Sequence, residues 1–304
     1  MPQNKDSLAN TFIVATVLCL VCAALVSTAA VALKPYKLAN ILLDKRTNIL
    51  KVCEFTEEDI DAAGGVNDLF LERFETVIID LETGELAMDE AKEACEEIGK
   101  QFVDFTNDFD QIWCSKSKED PVADKLEKKA DIVGIKYREK YSHVFILRSK
   151  DKTKIEKYVF PVRSYGLWSM MKGYLAVEPD LQTVAGLTFY EHAETPGLGG
   201  EITNPVWKAK WPGKKIYDDG EVELAVKKAA DEESPYEIDA LSGATITSNG
   251  VTSLVEFWMG DRGFGAYIEK QKSDGGSTAQ TETNDIINRE SASKKPAKSG
   301  VHHG

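Results

Sequence analysis

The chain has 304 residues, 42% hydrophobic and 29% charged, long enough to bury a sizeable core in one large domain or two modest ones. Its 50 acidic and 37 basic side chains leave a net charge of −13. With no basic cluster interleaved with aromatics, that argues against a nucleic-acid partner, and the composition excludes collagen-like, coiled-coil and mostly disordered chains.

A short polar segment, residues 1–10, precedes Thr11–Leu33, a 23-residue run with no charged side chain. As a helix it reaches about 35 Å, enough to cross a hydrocarbon core of about 30 Å. A cleaved signal peptide is the rival reading, with Ala30-Val31-Ala32 resembling a cleavage site. The apolar run is longer than a signal core and its flank is weakly basic, which favours a retained single-pass anchor. Lys34, Lys37, Lys45 and Arg46 follow the run, so charge bias taken alone leaves the main domain in the cytoplasm.

Leu38–Val52 places Ile41, Leu42, Ile49 and Val52 at helical spacing. Thr56, followed by Glu57, Glu58 and Asp59, reads as the N-cap of another helix. Thr76–Leu81 reads as a strand closed by a turn at Glu82–Glu85. Residues 89–124 form an acidic insertion expected to be helical, with Phe102, Phe105, Phe109 and Trp113 on a packing face. Cys53, Cys95 and Cys114 fit neither a zinc nor an iron–sulfur spacing; unpaired thiols or one bridge both remain open. Two of the four His lie in the tail, which leaves little for a metal site, and no metal ligands are assigned.

Tyr141–Arg148 and Lys157–Val162 read as strands about a polar turn, and Gly173–Pro179 with Thr183–Tyr190 as a second pair. Glu221–Ala230 is expected to be a short amphipathic helix. Val251, Leu254, Val255 and Trp258 mark a core-facing helix that ends near Gly260. From about Lys272 the chain is polar and expected to be disordered. The resulting class is α+β: an N-terminal transmembrane helix, then an antiparallel sheet with flanking helices.

Ile238–Gly250 concentrates small and hydroxyl side chains (Ser242, Gly243, Ala244, Thr245, Thr247 and Ser248) just ahead of that last helix. A small-residue loop opening a helix offers backbone N–H groups and the positive dipole end to an anion. An ordinary Ser/Thr-rich cap accounts for the same residues. There is no phosphate-loop pattern and no dinucleotide fingerprint.

Asp239-Ala-Leu-Ser242-Gly243-Ala244-Thr245-Ile-Thr247 resembles the flavinylation motif of the FMN-binding domain family. The resemblance implies that a flavin transferase, using FAD, esterifies the FMN phosphate to Thr245. A phosphodiester keeps one negative charge, which a helix N-terminus stabilises. Asp239 would help to present the acceptor. Tyr165-Gly166-Leu167-Trp168-Ser169-Met170-Met171 and Glu191-His192-Ala193-Glu194-Thr195-Pro196-Gly197-Leu198-Gly199-Gly200-Glu201 resemble C subunits of the Na+-translocating NADH:quinone reductase.

By that resemblance Leu167, Trp168, Thr195, Gly197, Leu198 and Gly199 line the flavin, with Glu194 as an edge contact. Trp168 as plain core and the glycine run as a plain turn are the structural alternatives. The implied organisation is 34–140 as an N-terminal soluble part, 141–270 as the FMN-binding domain and 271–304 as a tail. The implied function is electron relay within a sodium-transporting complex of the inner membrane, with the flavin domain on the periplasmic side and the other subunits as partners. No residue is assigned as catalytic, since the chain is not a complete catalyst alone. A G subunit of the Rnf-type ferredoxin-oxidising complex and a non-enzymatic, membrane-tethered ligand-binding module are the alternatives.

Overall fold

The computed structural model describes residues 8–97 and 123–273. Helix α1 runs unbroken over Leu8–Val52, through Pro35. The apolar run and the Leu38–Val52 segment are therefore one rod. Along the run, side chains such as Phe12, Leu20 and Val31 are exposed, whereas Ile49 and Leu50 are fully buried. The helix is a candidate membrane span by length and composition.

Helix α2 (Glu57–Ala62) carries the expected cap. Thr56 accepts from the Asp59 N–H, and Asp59 accepts from the Thr56 N–H, a reciprocal capping box. Helix α3 (Val66–Arg73) leads directly into β1 (Phe74–Asp80). Helix α4 (Met88–Glu97) opens the acidic insertion. Phe102, Phe105, Phe109, Trp113 and Cys114 lie outside the described residues, as does the tail from 274. The insertion does not stay helical to Asp124, because Ala123–Lys125 (β2) pairs antiparallel with Tyr137–Glu139 (β3).

Strands β4 (Tyr141–Arg148), β5 (Ile155–Tyr165), β6 (Met170–Val177) and β7 (Val184–Glu191) follow as two hairpins joined into a meander. The sheet order is β1-β4-β5-β6-β7, and every neighbouring pair is antiparallel. Strand β1 thus belongs to the same sheet as β4, and that sheet crosses the boundary placed at residue 140.

Both faces of the sheet are covered, which explains the near-continuous apolar strands. Phe145, Leu147, Val159, Tyr174 and Ala176 turn towards α1 and α3. Their neighbours Val144, Ile146, Tyr158, Phe160 and Leu175 turn towards the C-terminal helices. Cys53 lies in the first of these cores as a free thiol, its pKa pushed up to about 12 by burial.

After β7 come a 3-10 turn at Gly199–Thr203 and the single-turn α5 (Pro205–Lys208). The helix expected over Glu221–Ala230 does not form. Tyr217–Asp218 (β8) pairs with Glu221–Val222 (β9) about a turn in which Asp219 and Gly220 both have positive φ. Ala225–Lys227 (β10) then pairs in parallel with Glu237–Asp239 (β11). Burial of Val226 and donation of its N–H to Thr252 Oγ1 at 2.9 Å override the local helical preference of Ala-Val-Lys-Lys-Ala-Ala. The chain closes with α6 (Thr245–Met259) and α7 (Gly265–Ser273). Val251, Leu254, Val255 and Trp258 of α6 are fully buried, and Gly260 caps it.

Candidate functional site

Three segments meet at the N-terminal end of α6: the 165–169 turn between β5 and β6, the 191–200 loop after β7, and the 239–247 run. The floor beneath them is rigid. Arg163, two residues before the turn, forms a buried ion pair with Glu139, with Nη1 2.8 Å from Oε1. Its guanidinium lies 4.9 Å from the ring of Trp258, whose indole N–H donates to the Arg163 carbonyl at 2.7 Å. Two turns of α6 nearer its start, the Gly250 carbonyl accepts from the Ser164 hydroxyl at 2.8 Å.

Glu194 joins the three segments. It is 4% exposed, and both carboxylate oxygens are occupied. Oε1 accepts from the N–H groups of Trp168 (2.9 Å) and Ser169 (3.1 Å). Oε2 accepts from the Leu167 N–H (3.2 Å) and the Thr247 hydroxyl (2.6 Å). Burial works to raise the carboxyl pKa, but the donors from Thr247, Trp168, Leu167 and Ser169 outweigh it and hold the group below its ordinary range. Glu194 was expected as an edge contact for a ligand; its oxygens accept these four hydrogen bonds from within the protein. A Cβ at Gly166 would fall 2.7 Å from Glu194 Oε1, and one at Gly199 would fall 2.6 Å from Thr247 Oγ1. The glycines of both loops leave room for this carboxylate.

The α6 end is shaped by the small-residue run. Ser248 Oγ accepts from the Leu241 N–H at 3.1 Å, and the Ala244 N–H donates to the Leu241 carbonyl at 3.1 Å, closing a tight turn over 241–244. Gly243 adopts φ +72° within that turn, and a Cβ there would press on Leu198 Cδ2 at 3.0 Å. Ala244 is the N-cap and supplies no side-chain cap, so the first-turn N–H groups face outward at the positive end of a 15-residue helix. Thr245 is the first residue of α6 and is exposed together with Ser242 and Gly243, whereas Thr247 is buried.

Around Thr245 lies an unusual amount of bare apolar surface. Trp168 is 69% exposed, Ile246 55%, Leu167 and Tyr165 49% each, and Leu198 44%. Trp168 is thus not core. Thr195 and Gly197 are exposed too, while Gly199 is buried. Tyr165 and Ile246 were given no role from sequence, although both lie inside the recognised motifs. The Glu194 network had no sequence signal, because its partners lie 25–53 residues away. Asp239 forms an exposed ion pair with Lys210 at 2.5 Å, and this contact holds its carboxyl below the ordinary range. His192 Nδ1 accepts from the Glu194 N–H at 3.3 Å, and no group of three or more metal-ligating side chains gathers among the described residues.

The site's boundaries coincide with a known module: residues 166–260, from the Gly166 turn to the cap of α6, match the family model of the FMN-binding domain. Along its length the chain is 38% identical over 272 residues to the C subunit of the Na(+)-translocating NADH-quinone reductase from Yersinia pestis, covering 88% of this chain and 95% of that one. It is 40% identical over 272 residues to the C subunit from Pseudomonas aeruginosa, with 87% and 96% covered.

The chain belongs to the family of Na(+)-translocating NADH-quinone reductase C subunits.

The fold agrees with that membership. It is similar to the crystal structure of Shewanella oneidensis NqrC, with a TM-score of 0.62 and 32% identity over 75% of this chain and 98% of that one. It also resembles the family's structure from Parabacteroides distasonis, with a TM-score of 0.52 and 25% identity over 78% and 96%. The FMN-binding module of this C subunit starts at the turn whose three N–H groups Glu194 holds.

Proposed function

We propose that this C subunit bears FMN as a phosphoester on Thr245 and relays electrons within the reductase, held to the inner membrane by α1 with its flavin domain on the periplasmic side. The observation that carries the reading is the contrast between the two threonines of the motif. Thr245 presents its hydroxyl at the open, positive end of α6, whereas the Thr247 hydroxyl is buried and donates to Glu194. That contrast favours the first as the acceptor.

The surroundings suit a flat, largely apolar ring system with an anionic tail. Trp168, Leu167, Leu198 and Ile246 supply apolar walls that would otherwise face water. The first-turn N–H groups of α6 supply the electrostatic complement of a phosphodiester. In maturation, the Thr245 oxygen attacks the FMN-side phosphorus of FAD, AMP departs, and the hydroxyl proton passes to a base of the transferase. FMN, when held there, supplies one-electron redox chemistry.

The chain's own residues position and shield it. Glu194 fixes the Trp168 turn against α6, the buried Arg163–Glu139 pair stiffens the floor, and the apolar rim excludes water. Attachment by a covalent bond keeps the group at one distance from its redox neighbours, which affinity alone does not ensure.

Co-expression with a flavin transferase and an intact denatured mass tests the reading. The expected result is one added esterified FMN, mapped to the peptide that contains Thr245, and loss of that addition in Thr245→Ala with the circular dichroism unchanged. An unmodified mass beside a control substrate that is flavinylated would sink the reading, as would a flavin that survives Thr245→Ala.

A further inference from the structure

A cavity of about 520 Å³ opens at the other end of the meander from the flavin site. Arg148, Lys154 and Tyr158 line it from the β4–β5 hairpin, Asp180 from the β6–β7 turn, and Gln271 and Lys272 from the last turn of α7. Tyr158 and Tyr165 share strand β5. At about 3.3 Å per residue, roughly 23 Å of strand separates this cavity from the Tyr165 turn.

Three of these side chains are nine-tenths or more buried and leave hydrogen-bonding capacity unused. Arg148 is 8% exposed, Tyr158 2% and Gln271 9%. Arg148 uses only Nε, which donates to Glu75 Oε2 at 2.5 Å. Among the described residues its remaining N–H groups meet no acceptor, and the Tyr158 hydroxyl has no partner either. Gln271 Oε1 is buried without a donor. Buried polar groups are almost always paired, so three such groups lining one cavity mark a place suited to a polar molecule.

The charges of the wall fix the sign of that molecule. Lys154 and Lys272 are exposed, and among the described residues neither forms an ion pair. The Lys272 ammonium lies 4.5 Å from the Tyr217 ring, in a helical turn where a cation offsets the negative end of α7. Asp180 is the one acid among the described lining residues. It is already paired with Lys215 at 3.5 Å and accepts the Thr183 N–H at 2.8 Å. Burial raises the pKa of Tyr158, so its hydroxyl is a donor at neutral pH.

In a chain of net charge −13, this wall therefore carries an excess of cations and donors. A phosphate monoester is its complement, with nearly two negative charges at neutral pH and three acceptor oxygens on one head. An arginine fork binds such a head bidentately. Gln271 Oε1 is an acceptor, and calls for a hydroxyl on the same ligand.

We propose that this cavity binds a small hydroxyl-bearing phosphate monoester, its phosphate on Arg148 and Tyr158 with Lys154 and Lys272 at the rim, and its hydroxyl on Gln271. None of these residues belongs to the flavin site, so the proposal does not depend on the flavin reading.

The test titrates the full-length protein, in maltoside micelles at constant ionic strength, with glycerol phosphate, sulfate and malate by isothermal titration calorimetry. One saturable site is expected, with glycerol phosphate about three- to tenfold tighter than sulfate, a dianion that lacks the hydroxyl. Malate, whose two charges lie on separate groups, is expected to bind more weakly than glycerol phosphate. Tyr158→Phe removes a hydroxyl that bonds to nothing in the fold, and should weaken glycerol phosphate about tenfold or more. Gln271→Leu should bring glycerol phosphate and sulfate to within about twofold of each other. The absence of saturable binding would overturn the site, as would sulfate or malate bound as tightly as glycerol phosphate. So would an affinity unmoved by Tyr158→Phe in a protein of unchanged circular dichroism.

Discussion

Thr245 and Thr247 stand two residues apart on the first turn of α6, and a helix turns about 200° between them. One hydroxyl therefore faces solvent while the other enters the protein and donates to Glu194 at 2.6 Å. This division of labour yields a prediction for the motif's second threonine. Thr247→Val keeps the volume but removes the donor, and should cost about 1–3 kcal/mol of stability. Flavin should still map to Thr245. Loss of flavin at unchanged stability would mean that Thr247 touches the ligand itself. The run of hydroxyls in Ser242–Ser248 was plain in the sequence, but which of them face outward was not. Ser248 also looked available, yet its oxygen is used within the protein to accept the Leu241 N–H.

At the scale of elements, the site consists of two loops and a helix end tied through one carboxylate. The 165–169 turn presents three consecutive N–H groups to Glu194, so the turn and the 191–200 loop move together or not at all. Glu194→Gln leaves one acceptor oxygen and turns an NH2 group towards donors. A cost of about 2–3 kcal/mol is expected, together with altered Trp168 fluorescence. The same group gives an acid signature. Its folded pKa lies below the ordinary 4.5, so the folded state holds the proton more weakly than the unfolded chain. The associated stability is complete above about pH 4.5 and is lost as pH falls through the lower folded value. Urea titrations of wild type and Glu194→Gln should therefore converge as the pH drops below that window. Curves that stay parallel would remove Glu194 from the role assigned here.

At the scale of the whole molecule, α1 has two jobs in one helix. Its first half is exposed apolar surface, and its last turn inserts the fully buried Ile49 and Leu50 into the core on one face of the sheet. Removing residues 1–33 should give a water-soluble protein with unchanged near-ultraviolet circular dichroism. Removing residues 1–52 should leave an unfolded or aggregated chain, since each buried aliphatic contributes about 1.5–3 kcal/mol. A folded 53–304 fragment would show that α1 only tethers the domain. The same helix bears on orientation. Of the four cations that favoured a cytoplasmic domain, Lys45 and Arg46 are buried, with Arg46 Nη1 2.7 Å from Asn67 Oδ1 and its guanidinium 5.0 Å from the Phe70 ring. Half of that charge bias therefore belongs to the fold, and the periplasmic placement proposed here meets less opposition than the count of charges suggests.

The strands of the meander, the anchor and the helix after Thr245 were legible from the sequence because each is dictated by a short-range pattern: a continuous apolar run, hairpin turns, and apolar residues at three- and four-residue spacing. The Asp239–Thr247 run, on which the proposed flavin attachment rests, could be picked out for the same reason, being nine consecutive residues. Pairing across long separations settled the rest. Residues 221–230 became strands because Val226 found a core and β11 found a parallel partner, which no local propensity encodes. Strand β1 joined the sheet across a 60-residue gap to β4. Glu194, expected only as an edge contact beside a glycine-rich loop, became the tie that holds the site, because only the folded chain brings three amides and a hydroxyl to one carboxylate and excludes the water that would otherwise compete for it.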